Sequence, residues 1–115
     1  MSQQNGINSG DGLIELFVRG ISEETAVQIA LRYGGEELNK IFENDALMQT
    51  CLCLLENDLN VSKTSTKLYM HRNTLIYSIN KIRKKCGLDL CKFSDAVSFL
   101  LLYTLKKGKA EGGKN

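Results

Sequence analysis

Between residues 60 and 85, in NVSKTSTKLYMHRNTLIYSINKIRKK, seven Lys and Arg stand without a single Asp or Glu. The cations are Lys63, Lys67, Arg72, Lys81, Arg83, Lys84 and Lys85. Ammonium and guanidinium groups pair with phosphate, and the planar Arg fork also matches a guanine edge. Interleaved with them are Ser62, Thr66, Asn73, Thr74, Tyr77, Asn80 and the lone histidine, His71. Their hydroxyl, carboxamide and imidazole groups bond phosphate oxygens and base edges. The whole chain carries only +2, because residues 11–58 hold ten acids against three bases, a net of −7. A segregation of this kind points to an anionic partner for the second half.

The elements that must position these groups follow from the apolar spacing. Asn60 is a natural cap for a helix over 61–68. Val61, Ser65 and Leu68 then share one side, and the small Ser65 lets a second helix cross closely. Tyr69, Met70 and His71 make a short turn, with Met70 as the plug between the helices. The helical period restarts at Arg72, and Leu75, Ile79, Ile82 and Cys86 fall on one inward line. Helix, short turn and helix with this apolar spacing is the helix-turn-helix pattern, over residues 60–86. At about 100° per residue, the opposite face of the second helix holds Asn73, Tyr77, Asn80 and Lys84. Thr74 and Lys81 flank that face, and Arg72, Ile76 and Arg83 lie on its shoulder. In this motif the N-terminal residues of the second helix enter the major groove. Unpaired N–H groups at that helix start would attract phosphate. Ser62, Lys63, Thr66 and Lys67 on the first helix would clamp the DNA backbone.

The rest of the chain reads as a scaffold. Helices are predicted over 22–35, capped by Ser22 and stopped at Gly34-Gly35, over 45–58 with Asp45 as cap, and over 95–107 with Ser94 as cap. Shorter candidates cover 12–20 and 36–44, and Gly87 opens a loop over 86–93. Ala26, Ile29, Ala30 and Tyr33 form the apolar stripe of the second segment. No segment alternates with period two. The expected fold is therefore all-α, a compact multi-helix domain of about five to six helices containing a helix-turn-helix. It spans residues 13–107, between a disordered leader or linker at 1–12 and a tail at 108–115, GKAEGGKN. At 43% hydrophobic and 24% charged residues the composition is that of a folded domain, not a disordered one. No run approaches the roughly 18 apolar residues a membrane span needs, and the first residues are not a signal peptide. Cys51, Cys53, Cys86 and Cys91 are read as reduced cytosolic thiols, because their spacing matches no zinc site.

The string N-V-S…T…L…H-R-N-T-L-x-Y, from Asn60 to Tyr77, is followed by G-L-D-L at 87–90 and an apolar helix. It resembles the C-terminal DNA-binding domain of PucR-type, CdaR-like bacterial transcriptional regulators, over about residues 45–105. The bihelical unit is also similar to that of the Fis nucleoid protein. The resemblance implies a cytoplasmic, double-stranded DNA-binding domain with effector-sensing regions upstream in a longer native chain. It puts His71, Arg72, Asn73 and Thr74 at the start of a recognition helix, with Tyr77 one turn on. Arg72 and Asn73 are assigned to base edges, Thr74, Ser62 and Lys63 to phosphates, and Tyr77 to either. The family pattern carries arginines where this chain has Ile76, Ser78 and Asn80. Each absent arginine removes a phosphate contact and flattens the salt dependence. Tyr69 stands where many such turns place a left-handed glycine, which predicts strain.

Plainer roles stand beside these. His71 is also a possible helix cap, Tyr77 a packing residue, and Asn60 and Ser62 caps. The apolar run from Phe99 to Leu105 suits a core or a homodimer surface. No phosphate loop, nucleotide-binding glycine fingerprint or nucleophile–base pair appears, so neither catalysis nor a cofactor or metal is expected. The leading function is sequence-specific binding of duplex DNA as a homodimer, since one recognition helix covers too few base pairs. The competing readings are a helical protein–protein interaction module, in which Tyr77 and Ile76 would dock a partner helix with the acidic half contributing, and a sequence-indifferent, nucleoid-type DNA binder. Retention on heparin separates the first of these from DNA binding. Neutralising Lys81 and Lys84 should move elution to lower salt, and an unchanged elution would favour the protein dock.

Overall fold

Among residues 12–112, the part of the chain that the computed structural model describes, there are seven helices and no strand. Side chains are described through Gly108. The helices are α1 (Leu13–Arg19), α2 (Glu23–Tyr33), α3 (Glu36–Phe42), α4 (Asp45–Glu56), α5 (Val61–Lys67), α6 (Arg72–Cys86) and α7 (Phe93–Gly112). The expected all-helical architecture is present, with more helices than the five to six expected, because both short candidate segments fold. No helix among the described residues is long and apolar enough to cross a membrane. The chain divides into two compact units, Glu36–Phe99 and a unit made of residues 1–35 with 100–115.

In the Glu36–Phe99 unit, α3 packs on α4 and α6, and α5 packs on α4 and α6. The buried side chains are Leu38, Ile41 and Phe42 of α3, Met48, Cys51 and Leu54 of α4, and Leu75, Ile79 and Ile82 of α6. Phe42 meets Phe99 edge to face, with ring centroids 5.3 Å apart. Such a pair adds about 0.5–1.5 kcal/mol beyond burial. Burial also pushes the Cys51 thiol up to about 12, so it stays protonated as a small apolar residue.

In the other unit, Val18, Ala26 and Leu105 form a small core with Ile14, Ile21 and Ile29 against it. Ser22 caps α2 as expected, accepting the Thr25 N–H at 3.1 Å. The predicted stripe of α2 is only half used. Ala26 is buried and Ile29 half-buried, whereas Ala30 and Tyr33 are exposed. With so few partners, this core covers a narrower arc of the helix than its apolar residues offer.

Two predicted caps shift toward the N-terminus, that of α4 by one residue and that of α7 by two. Asn44, not Asp45, caps α4: its side chain accepts the Leu47 N–H at 3.0 Å, and Asp45 falls in the first turn. There its carboxylate meets the positive end of the helix dipole. α7 starts at Phe93 rather than after Ser94, because the Lys92 carbonyl already accepts the Ala96 N–H at 2.8 Å. The G-L-D-L loop dictates that earlier start. Asp95 accepts the Asp89 N–H at 3.0 Å, Asp89 accepts the Cys91 N–H at 2.9 Å, and Leu90 is fully buried. At its far end α7 continues past Lys107 to Gly112. Apart from Gly12, the leader expected over residues 1–12 lies outside the described residues.

Leu54 has no solvent exposure at all. Leu54→Ala should therefore cost about 2–5 kcal/mol in urea unfolding. A loss under about 1 kcal/mol would mean that the site is not a packed core position.

Candidate nucleic-acid interface

α5 is set between two tight turns. Asn60 caps it, accepting the Lys63 N–H at 2.9 Å through its side chain, as expected. The inward side of α5 is polar by composition but closed by local bonds. Thr64 is fully buried and donates its hydroxyl to the Asn60 carbonyl at 2.7 Å. Ser65 is buried and donates to the Ser62 carbonyl at 3.0 Å. A buried hydroxyl costs little once it is bonded this way. Sequence reasoning took Ser65 as the crossing point and missed Thr64. Its place in the helical row Val61, Thr64, Ser65, Leu68 was the available signal. Ser62 itself does not cap; its carbonyl takes the Ser65 and Thr66 hydroxyls.

The turn after α5 is a Schellman ending. Met70 donates its N–H to the Ser65 carbonyl at 2.9 Å, and Tyr69 to the Thr66 carbonyl at 3.2 Å. Tyr69 takes φ 53°, the left-handed conformation predicted for this position. Met70 is half-buried, as a plug should be. The next residue, His71, caps α6: its Nδ1 accepts the Asn73 N–H at 3.1 Å. That bond fixes the neutral ring as the Nε2–H tautomer and leaves Nε2–H pointing away from the cap.

The His71 cap changes one expectation. The start of α6 does not offer a row of open N–H groups. The Asn73 N–H is taken by the His71 ring, and those of Thr74 and Leu75 by the His71 carbonyl at 3.0 and 3.2 Å. The helix start therefore presents side chains rather than a row of backbone donors.

The rotation of α6 is unambiguous. Leu75 and Ile82 are each 1% exposed and Ile79 5%. Asn73, Tyr77, Asn80 and Lys84 project on the opposite side, and Tyr77 is 68% exposed, so it does not pack within the fold. Ser62, Lys63, Thr66, Lys67, His71, Arg72, Thr74 and Lys81 are exposed as well. Ile76 and Ser78, where the family pattern has arginine, are half-buried. Of the basic run that ends α6, Lys85 turns back to Glu37 of α3 at 3.6 Å. Lys63, Lys67, Arg72, Lys81 and Lys84 have no acidic partner among the described residues. Gly87 ends the helix at φ 79°, its N–H donated to the Arg83 carbonyl at 2.8 Å.

The arrangement is a solvent-facing, acid-free helix face held on a bihelical unit. The family described as the PucR C-terminal helix-turn-helix domain matches residues 47–105, just over half the chain. The chain belongs to this family. PucR-type helix-turn-helix domains are DNA-binding parts of transcription regulators, not enzymes. The chain is 35% identical over 63 residues to the uncharacterized protein YxkF of Bacillus subtilis, covering 54% of this chain and 21% of that protein. It is 38% identical over 66 residues to the carbohydrate diacid regulator of Escherichia coli, covering 57% of this chain and 16% of that one. A third relative, the purine catabolism regulatory protein of Bacillus subtilis, is 38% identical over 48 residues, 42% of this chain and 9% of its own length. The chain thus spans about a fifth or less of these relatives. No solved structure matches it.

The Asn60 cap anchors both the start of α5 and, through its carbonyl, the buried Thr64 hydroxyl. Asn60→Ala should cost about 0.5–2 kcal/mol in denaturant unfolding, and Asn60→Asp should recover most of it. Equal stability of Asn60→Ala and wild type would show that the cap is not formed in solution.

Proposed function

We propose that this PucR-type helix-turn-helix domain binds specific duplex DNA sequences, with α6 in the major groove, as part of a bacterial transcription regulator. The observation that carries the reading is the α6 surface. Its apolar line is buried, and what remains outward is amide, hydroxyl and cation without one carboxylate. A DNA-facing surface needs that exclusion, because a carboxylate near phosphate oxygens loses several favourable interactions at once.

In this reading Arg72 and Asn73, exposed in the first turn of α6, reach base edges. Thr74, Ser62 and Lys63 meet phosphates, and Tyr77 stands one turn further along the groove. His71 combines both roles considered for it, capping with Nδ1 and presenting Nε2–H to a phosphate. Thr66 is a weaker phosphate donor than its exposure suggests, since its hydroxyl is already given to the Ser62 carbonyl at 3.0 Å. Lys67, Asn80, Lys81 and Lys84 complete the backbone contacts. With Ile76 and Ser78 half-buried in place of arginine, phosphate contacts are fewer and the salt slope is shallow. Specific sites call for a second copy of the chain, each α6 taking one half-site. The relatives extend far beyond the matched stretch, which supports a longer regulator with effector-sensing regions.

A second reading, contact with another protein surface, is favoured by α1 and α2. Leu13, Leu16, Phe17, Val27 and Leu31 there are all more than half exposed. These residues lie in a different compact unit from Tyr77 and Ile76 of α6, the docking residues expected from sequence.

Arg72→Ala should weaken binding to the preferred site by about 1–3 kcal/mol in fluorescence titration and relax preference at one base position. Lys63→Ala should weaken all sequences alike and lower the salt slope by about 1. Equal affinity of Arg72→Ala and wild type for the preferred site would remove Arg72 from the base contacts. Indifference of the wild type to sequence would leave only nucleoid-type binding.

A further inference from the structure

We infer that Tyr69 is a DNA-contact residue, its phenol ring lying against the sugar–phosphate backbone beside α6; this rests on the DNA-binding reading above. Tyr69 holds a left-handed backbone conformation and buries almost nothing in the fold. Among the described residues, three non-glycine residues take positive φ, Asp58, Leu59 and Tyr69, and they bracket α5 on both sides. Two have a reason within the fold. Asp tolerates the left-handed region, and Leu59 is half-buried, so its side chain packs. Tyr69 has neither excuse. The residue is 98% exposed.

The backbone bonds of this turn, Tyr69 N–H to Thr66 and Met70 N–H to Ser65, would form equally well with glycine. The chain does use glycine at the corresponding end of α6, where Gly87 sits at φ 79°. A large side chain kept at a strained position, with no contact inside the fold, is explained by a contact outside it.

The surroundings point to DNA. The turn lies inside the acid-free stretch, between the exposed Lys67 and Arg72 and beside His71. Between residues 60 and 86 the exposed large apolar side chains are Tyr69 and Tyr77, too few for the contiguous apolar patch a protein dock would require. A phenol suits the DNA backbone: its flat apolar face covers deoxyribose, and its hydroxyl donates to a phosphate oxygen. Being uncharged, it adds affinity without releasing a counterion.

The test uses the full chain, a duplex containing its preferred site, and three variants read by fluorescence anisotropy and thermal unfolding. Tyr69→Gly should melt several degrees higher than wild type and bind about three- to tenfold more weakly. Tyr69→Ala keeps the backbone strain and loses the ring, so it should bind as weakly as Tyr69→Gly without the gain in melting temperature. Tyr69→Phe should retain the ring contact and lose only the hydroxyl part. The salt slope should be that of wild type in all three. If both Tyr69→Gly and Tyr69→Ala bind as tightly as wild type while Arg72→Ala is weakened, DNA binding stands and the assignment of Tyr69 is wrong. A change in self-association with unchanged DNA affinity would give the ring to a second copy instead, which also overturns it. If wild type and Arg72→Ala alike fail to bind duplex DNA, the underlying reading falls and takes this one with it.

Discussion

Leu75, Ile79 and Ile82 lie along one line of α6, and burying that line against its neighbours fixes how the helix is rotated about its own axis. Each such side chain contributes about 1.5–3 kcal/mol. Rolling the helix by half a turn would expose all three and cost about 5–9 kcal/mol, comparable with the whole stability of a small domain. The outward direction of Asn73, Tyr77, Asn80 and Lys84 is a consequence of that burial, not an independent choice. No hydrogen bond on the exposed face has to hold these groups in place. Their rotational register comes from the core, and they remain available to a partner.

The turns do the complementary work of setting where α6 begins. Asn60 starts α5, the Schellman ending at Ser65–Met70 stops it, and His71 starts α6. The first two close the ends of the seven-residue α5, and the third closes the start of α6, where backbone groups would otherwise be left open. Because the N–H groups of Asn73, Thr74 and Leu75 are bonded within the turn, the helix start is left with side chains and residual dipole to offer an anion. Rigidity here carries a local cost in left-handed residues, and at Tyr69 that cost falls on an exposed aromatic ring.

Much of this was legible in the amino-acid sequence, for a physical reason: long-period burial leaves a clear trace. The inward line of α6, the Asn60 and Ser22 caps and the Gly87 stop all follow from spacing and residue type. The family resemblance at residues 60–90 rests on the same residues that build the bihelical unit. What was not legible depended on choices between neighbours or on polar burial. Asn44 and Asp45 are both good caps, and only the backbone entering α4 decides between them. Ser94 lost its role because Asp89 and Asp95 organise the preceding loop across six residues, a bond that no local pattern announces. Thr64 looks like a surface residue until its hydroxyl finds the Asn60 carbonyl. On α2, apolar residues outnumber the partners available, so periodicity predicted more burial than occurs.

The central claim, that the start of α6 reads base edges from the major groove, is tested most directly by dimethyl sulfate interference. The substrate is a duplex that the protein selects from a random pool. Guanine N7 lies in the major groove and adenine N3 in the minor groove, so the reagent reports the two surfaces separately. The account predicts that methylation at guanine N7 within each half of the recovered site blocks binding, while adenine N3 methylation there is tolerated. Interference confined to adenine N3, or spread evenly with no recurring site, would contradict it.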